Sequence, residues 1–150
     1  MKLRLFIYIL LTMVSTAVSA QSASLKVNQI FAGKVVPLDR MVVTKVKGRA
    51  LSKYELNYYR SARFVANRHE RSRCIEAVEQ DMRAMSSGST AQKRSEKHTA
   101  IAFMLKPQGA YNRFITFVCT KEDNDQYAIT VIYMEGTVRN LNELNKLINK

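Results

Sequence analysis

The sequence predicts an α+β domain, an antiparallel sheet of about five strands with two helices packed on one face, following an N-terminal signal peptide. Three observations lead there. Residues 99–106, 113–121 and 127–134 are strand-like runs joined by short turns, and turns that short force antiparallel pairing, since parallel strands need crossovers of a dozen or more residues. Ile75, Val78, Met82 and Met85, flanked by Cys74, recur at helical spacing and mark one buried stripe. Leu141, Leu144, Leu147 and Ile148 give a second, shorter stripe at the C-terminus.

The chain opens with Lys2 and Arg4, continues with an apolar run from residue 5 to residue 11, and reaches small residues ending in Val18-Ser19-Ala20. Charge, apolar core and a small-x-small site make residues 1–20 a cleavable export signal and Gln21 the expected mature N-terminus. The alternative is an uncleaved anchor, but the apolar run is short for a bilayer span. Residues 21–150 then form a single domain, expected in the periplasm or secreted, without a transmembrane helix.

Residues 25–31 read as a short helix or an irregular lead-in, broken by Gly33 and Pro37. Residues 41–47 alternate Val42, Thr44 and Val46 with Val43, Lys45 and Lys47, the pattern of a half-buried strand with one basic face. Ser52 and Glu55 have capping-box spacing, although no long apolar stripe follows. In 58–66, Phe64 and two alanines share one face, and Tyr59, Ser61, Arg63 and Val65 the other. A helix through 52–85 would crowd Arg60, Arg63, Arg68 and Arg71, so a break near Asn67 is preferred, with the helix running from about 70 to 85. Residues 86–98 are polar and aperiodic, and read as a flexible loop. In the last three strands Ile115, Phe117 and Cys119 share a face, as do Ile129, Val131 and Tyr133, before Asn140 caps the closing helix.

The residues Tyr59-Arg60-Ser61, Ile75-Glu76 with Asp81, Asn112-Arg113-Phe114-Ile115, and Val131-Ile132-Tyr133-Met134-Glu135-Gly136, taken with the Leu-rich closing helix, resemble small exported proteins of Bacteroides and its relatives classed as domains of unknown function. The likeness runs from about Val42 to the end. It implies a periplasmic or secreted α+β domain and brings no catalytic or binding residues with it.

Cys74 and Cys119 are the only cysteines. In an oxidising compartment an even pair is a disulfide candidate, one on the helix stripe and one on a strand face; two separate buried thiols are the other reading. His69-Glu70 lacks the second histidine of a zinc protease helix, since position 73 is Arg, and His98 adjoins the polar stretch. Glu122, Asp123 and Asp125 read as a hairpin tip without the further glutamate of a calcium loop. There is no nucleophile elbow or phosphate-binding glycine loop, and no cofactor or metal is implied.

Charge is the remaining signal. Loss of Lys2 and Arg4 takes the net charge from +12 to +10, and residues 34–73 carry eleven Lys or Arg against Asp39, Glu55 and Glu70. If the first two strands are neighbours, Lys45, Lys47 and Arg63 share the exposed face with Tyr59, and Arg60, Arg68 and Arg71 lie near one end. Lys45, Lys47, Tyr59, Arg60 and Arg63 are the candidate ligand-binding set, because guanidinium groups chelate anions and rings cover apolar faces. Export directs this charge toward an envelope protein or an anionic envelope component rather than nucleic acid. The function expected is non-catalytic binding; the alternative is a small enzyme assembled around Cys74 or His69.

Overall fold

The computed structural model describes residues 25–150; the expected signal peptide, residues 1–20, lies outside the described residues. A four-residue helix, α1 (Asn28–Phe31), opens the chain, followed by a 3-10 turn at Leu38–Arg40 and strand β1 (Met41–Lys47). A second 3-10 segment, Gly48–Tyr54, leads to β2 (Leu56–Ala66) and the long helix α2 (Arg68–Met85). Strands β3 (Ser86–Arg94), β4 (His98–Gln108), β5 (Tyr111–Lys121) and β6 (Tyr127–Gly136) follow, and α3 (Leu141–Ile148) closes the chain.

All pairings are antiparallel, in the order β1-β2-β6-β5-β4-β3. The sheet therefore has six strands, one more than expected. The extra strand is β3, formed by most of the stretch read as a flexible loop. Apolar periodicity could not reveal it, because β3 is an edge strand whose side chains are largely exposed, held by backbone pairing to β4. Two side chains also tie it to α2: Gln92 Nε2 reaches Met82 Sδ at 3.4 Å, and Arg94 pairs with Glu79.

Strand alternation divides the core in two. Ala62, Phe64, Ile101, Phe103, Leu105, Ile115, Phe117, Ile129 and Val131 point to one face, which α2 and residues 25–36 cover with Cys74, Val78, Val27, Ile30 and Phe31. Phe114 and Met134 point to the opposite face, where Leu51, Leu56, Val138, Leu141 and Leu144 pack on them. The two main helices thus lie on opposite faces, not on one. Phe114 and Met134, one position out of step with their buried neighbours, require a second cover, and α3 supplies it.

The break expected near Asn67 is present, but the capping box expected at Ser52 lies there too. Ser52 donates to the Arg49 carbonyl and Glu55 is left-handed (φ 55°), so the expected capping box at 52–55 does not form. It forms instead at Asn67, whose side chain accepts from Glu70 N (2.8 Å) while Glu70 Oε2 accepts from Asn67 N (2.9 Å). Glu70 also takes both ends of the Arg40 guanidinium, at 2.9 and 3.2 Å. That pairing, with the Asn67 amide, holds the Glu70 carboxyl below its ordinary value against the opposing effect of burial. A depressed carboxylate stabilises the fold above its unfolded-state value, and that stability is lost as pH falls through the folded value. Glu70→Gln should therefore flatten the acid limb of the stability–pH curve, measured by denaturant unfolding between pH 7 and 3; an unchanged limb would rule out this pairing as its source.

Candidate functional site

The register fixes which charged residues share a face. Lys45 lies opposite Arg60 and Arg60 opposite Tyr133; Lys47 lies opposite Tyr58, Tyr58 opposite Glu135, and Glu135 opposite Arg113. Residues directly opposite one another in an antiparallel pair project to the same side. Lys45, Lys47, Arg60 and Arg113 therefore form two adjacent rows on the face covered by α2, interleaved with Tyr58 and Tyr133 and with one carboxylate, Glu135. Tyr59 and Arg63 pair with Val46 and Val42 and fall on the opposite side. The sequence-derived set is split: Lys45, Lys47 and Arg60 stay together, whereas Tyr59 packs toward Met134 and Phe114 and Arg63 stands exposed on the α3 side.

The rows end in a cavity of about 190 Å³, beyond the end of the α2 cover, lined by Leu25, Phe31, Tyr58, Arg60, Arg113, Tyr133 and Glu135 among others. Each wall has a local cause. The Arg60 guanidinium lies 4.4 Å from the Phe31 ring centroid, and its Nε is buried without a hydrogen-bond partner. Lys47 Nζ sits 5.5 Å from the Tyr58 ring, which meets Tyr133 edge-on at 6.0 Å. Tyr133 donates its hydroxyl to Glu135 Oε1 at 2.5 Å; burial, reinforced by that bond, pushes the phenol well above its usual range.

Arg113 is 6% exposed, the most deeply buried cation among the described residues. Its Nε and Nη2 both donate to the Lys106 carbonyl, at 3.3 and 2.9 Å. Among the described residues, neither Arg113 nor Arg60 forms an ion pair. Buried charges are ordinarily paired, because losing water costs several kcal/mol per ion. Two guanidinium groups, one carboxylate and aromatic walls can therefore hold an anion by charge-assisted, bidentate hydrogen bonds.

Sequence reasoning missed Arg113, Tyr58, Tyr133 and Glu135. A signal was present: Arg113 has the parity of Ile115, Phe117 and Cys119, so the apolar face of that strand ends in a cation.

The two thiols do not bridge. Cys74 and Cys119 are free and buried in the same cluster, on the two layers that α2 and β5 contribute. Burial pushes the Cys74 thiol up to about 12, with Glu70 and Cys119 adding to it, and burial raises Cys119 despite the neighbouring Arg71 guanidinium. Such thiols are poor nucleophiles at neutral pH. His69 is exposed in the first turn of α2, and His98 contacts Thr120 on the opposite face of the sheet, at 3.2 Å, so the two do not meet. Among the described residues no group of three or more His, Cys, Asp or Glu is placed to hold a metal ion, and no helix is long and apolar enough to cross a membrane.

The model of DUF6108, a family of unknown function, matches residues 13–148. The chain belongs to this family. The resemblance to domains of unknown function is thereby shown at family level. No curated protein matches the chain. Among solved structures, the thermo- and acido-stable ORF-99 from the archaeal virus AFV1 aligns over 75% of this chain and 87% of its own, at 8% identity and a TM-score of 0.32, too low a score to carry a structural argument.

Proposed function

We propose that this DUF6108 domain is an exported, non-catalytic binding module of Bacteroides and its relatives, acting in the periplasm or after secretion on an anionic envelope component. The observation that supports this reading is the gathering of Lys45, Lys47, Arg60 and Arg113 on one face around a cavity with a single carboxylate. Exposed cations on an edge strand draw in an anion from a distance, and the half-buried and buried guanidiniums hold it.

Binding to a heparin-like polyanion tests it. Affinity should fall linearly in log–log terms with added salt, because each ion pair formed releases counterions. The double variant Lys45→Gln, Lys47→Gln should lower both the affinity and the salt slope. It alters only exposed positions of β1, so its melting temperature should stay near that of the parent. Salt-independent binding, or none, would overturn the proposal.

A protein partner is the second reading. It is favoured by the half of the α3-side face that α3 leaves open, where Val42 and Val65 are 68% and 46% exposed. The enzyme alternative draws no support from the buried Cys74 or the isolated His69.

A further inference from the structure

The cavity between Arg60 and Arg113 has properties more specific than a positive surface, and they narrow the class of anion. We infer that it is a receptor for a single carboxylate carried on a short apolar or aromatic stem. This rests on the anion-binding reading above and deepens it.

Charge comes first. The groups lining the cavity that carry full charge are Arg60, Arg113 and Glu135, a balance of one positive charge. One monoanion neutralises the site. A phosphate monoester dianion would leave a negative charge in a space walled by Leu25, Phe31, Tyr58 and Tyr133, where an unbalanced charge is costly. Lys45 and Lys47 belong to the same two rows but do not line the cavity, so they add attraction at long range without changing that local balance.

Shape is second. The recess, about 190 Å³, lies below the range of roughly 300–1,000 Å³ of ordinary small-molecule pockets. That accommodates a carboxylate and a few carbons, but not a folded segment or a run of sugars. The lining combines guanidinium donors with ring and aliphatic surface and the polar Asn28, Gln108 and Glu135, the mixture by which small-molecule sites fix a polar head and bury an apolar body.

Donor geometry is third. Arg60 Nε is buried and unpartnered, and the Arg60 guanidinium lies 4.4 Å from the Phe31 ring centroid, a contact that restrains it. Arg113 spends Nε and Nη2 on the Lys106 carbonyl, which fixes its plane as well. Planar forks bind carboxylates and phosphates alike in bidentate fashion, so the donors account for anion binding and the charge balance selects the monoanionic carboxylate.

A carboxylate on such a stem has two sources, a free small acid or the C-terminal end of a peptide. Both are tested by titrating the purified protein with phenylacetate, N-acetyl-Gly-Phe, its C-terminal amide, and inorganic phosphate, while following the Arg Nε–H and Tyr ring signals by NMR. Phenylacetate and N-acetyl-Gly-Phe should give saturable shifts at Arg60, Arg113, Tyr58 and Tyr133, at least tenfold tighter than phosphate and the amide. Tighter binding of the peptide than of phenylacetate assigns the site to chain ends; equal binding assigns it to free acids. Arg60→Gln should weaken the carboxylate at least tenfold, and unchanged amide dispersion in the rest of its spectrum separates that loss from unfolding. Equal binding of acid and amide, binding led by phosphate, or no saturable shift overturns the inference. If polyanion binding persists in that last case, the carboxylate receptor fails and the broader anion-binding reading stands.

Discussion

Gly136→Ala should lower the unfolding free energy by about 3 kcal/mol or more, at the upper end of what overpacking a well-filled site costs. A Cβ at this position would stand 2.2 Å from the Glu55 carbonyl oxygen and 2.7 Å from Leu56 Cα, both backbone atoms that no rotamer change can move. The same carbonyl accepts hydrogen bonds from Thr137 N at 2.9 Å and Val138 N at 3.4 Å, so relieving the clash pulls those apart as well. Glycine is required here for space, not for a left-handed backbone. For a domain of this size the loss amounts to a drop of about 10 °C in melting temperature, readable by calorimetry. A drop of only a degree or two would mean that the β2–β6 junction tolerates displacement and that its close approach is incidental.

Asp81→Ala should be costlier still, at about 4 kcal/mol. Asp81 is 2% exposed on α2 and accepts from Lys26 N at 2.7 Å and Val27 N at 2.8 Å, one amide to each oxygen. Hydrogen bonds to a charged partner contribute roughly 1.5–3 kcal/mol each, and truncation also strands a buried amide. Asparagine would retain one acceptor but turn its own N–H toward a donor, so Asp81→Asn should recover little. The pH dependence has a defined sign. Burial pushes the Asp81 carboxyl above its ordinary value, and the two amides and Lys26 offset this only in part. The folded state thus holds this proton more tightly than the unfolded chain does. The resulting stability is complete below the unfolded value near about 3.9 and is lost as pH rises through the folded value, the reverse of Glu70. Denaturant unfolding across pH 3–8 should show the gap between the parent and Asp81→Asn narrowing as pH rises; a gap that widens would refute the assignment. Because Lys26 and Val27 adjoin Leu25, and Leu25 and Phe31 line the cavity, Asp81→Ala should also weaken carboxylate binding there.

What the sequence made legible follows from which forces leave a periodic trace. The bounds of β1, Met41–Lys47, were legible, but it is not the half-buried strand expected: as a sheet edge it exposes both faces, with Met41 and Val46 alone partly buried. α2 was legible from its stripe, because it buries one face and leaves the other wet. β3 was illegible because its side chains are mostly exposed, so backbone hydrogen bonds chiefly hold it, and any residue but proline supplies those. The grouping of the basic residues failed by one step of register. Alternation along β1 and β2 was read correctly, but which parity of one strand matches which of the other depends on the connection between them, here Gly48–Tyr54 and the left-handed Glu55. A shift by one exchanges every side chain across the sheet, and this moved Lys45 and Lys47 away from Arg63 and Tyr59. Arg113 was overlooked for a different reason: its parity with Ile115, Phe117 and Cys119 placed it on the buried face, but a basic residue near a strand end is ordinarily solvated, and what buries it is the convergence of β4, β5 and β6. The cysteines shared a cluster, as their positions on helix and strand suggested, yet sharing a core does not bring two sulfurs to bonding distance.

The strand order has a bearing on when the sheet can exist. β6 lies between β2 and β5, so the strand that closes at Gly136 joins the β1–β2 hairpin to the β3–β4–β5 meander by backbone pairing. The hairpin can pack early on α1 and α2, but its pairing with β6 spans a long sequence separation, which slows folding. Until then the chain holds two incomplete half-sheets with open inner edges. Closing the sheet therefore waits on β6, the last strand in the chain. The last strand made decides whether the first ones count.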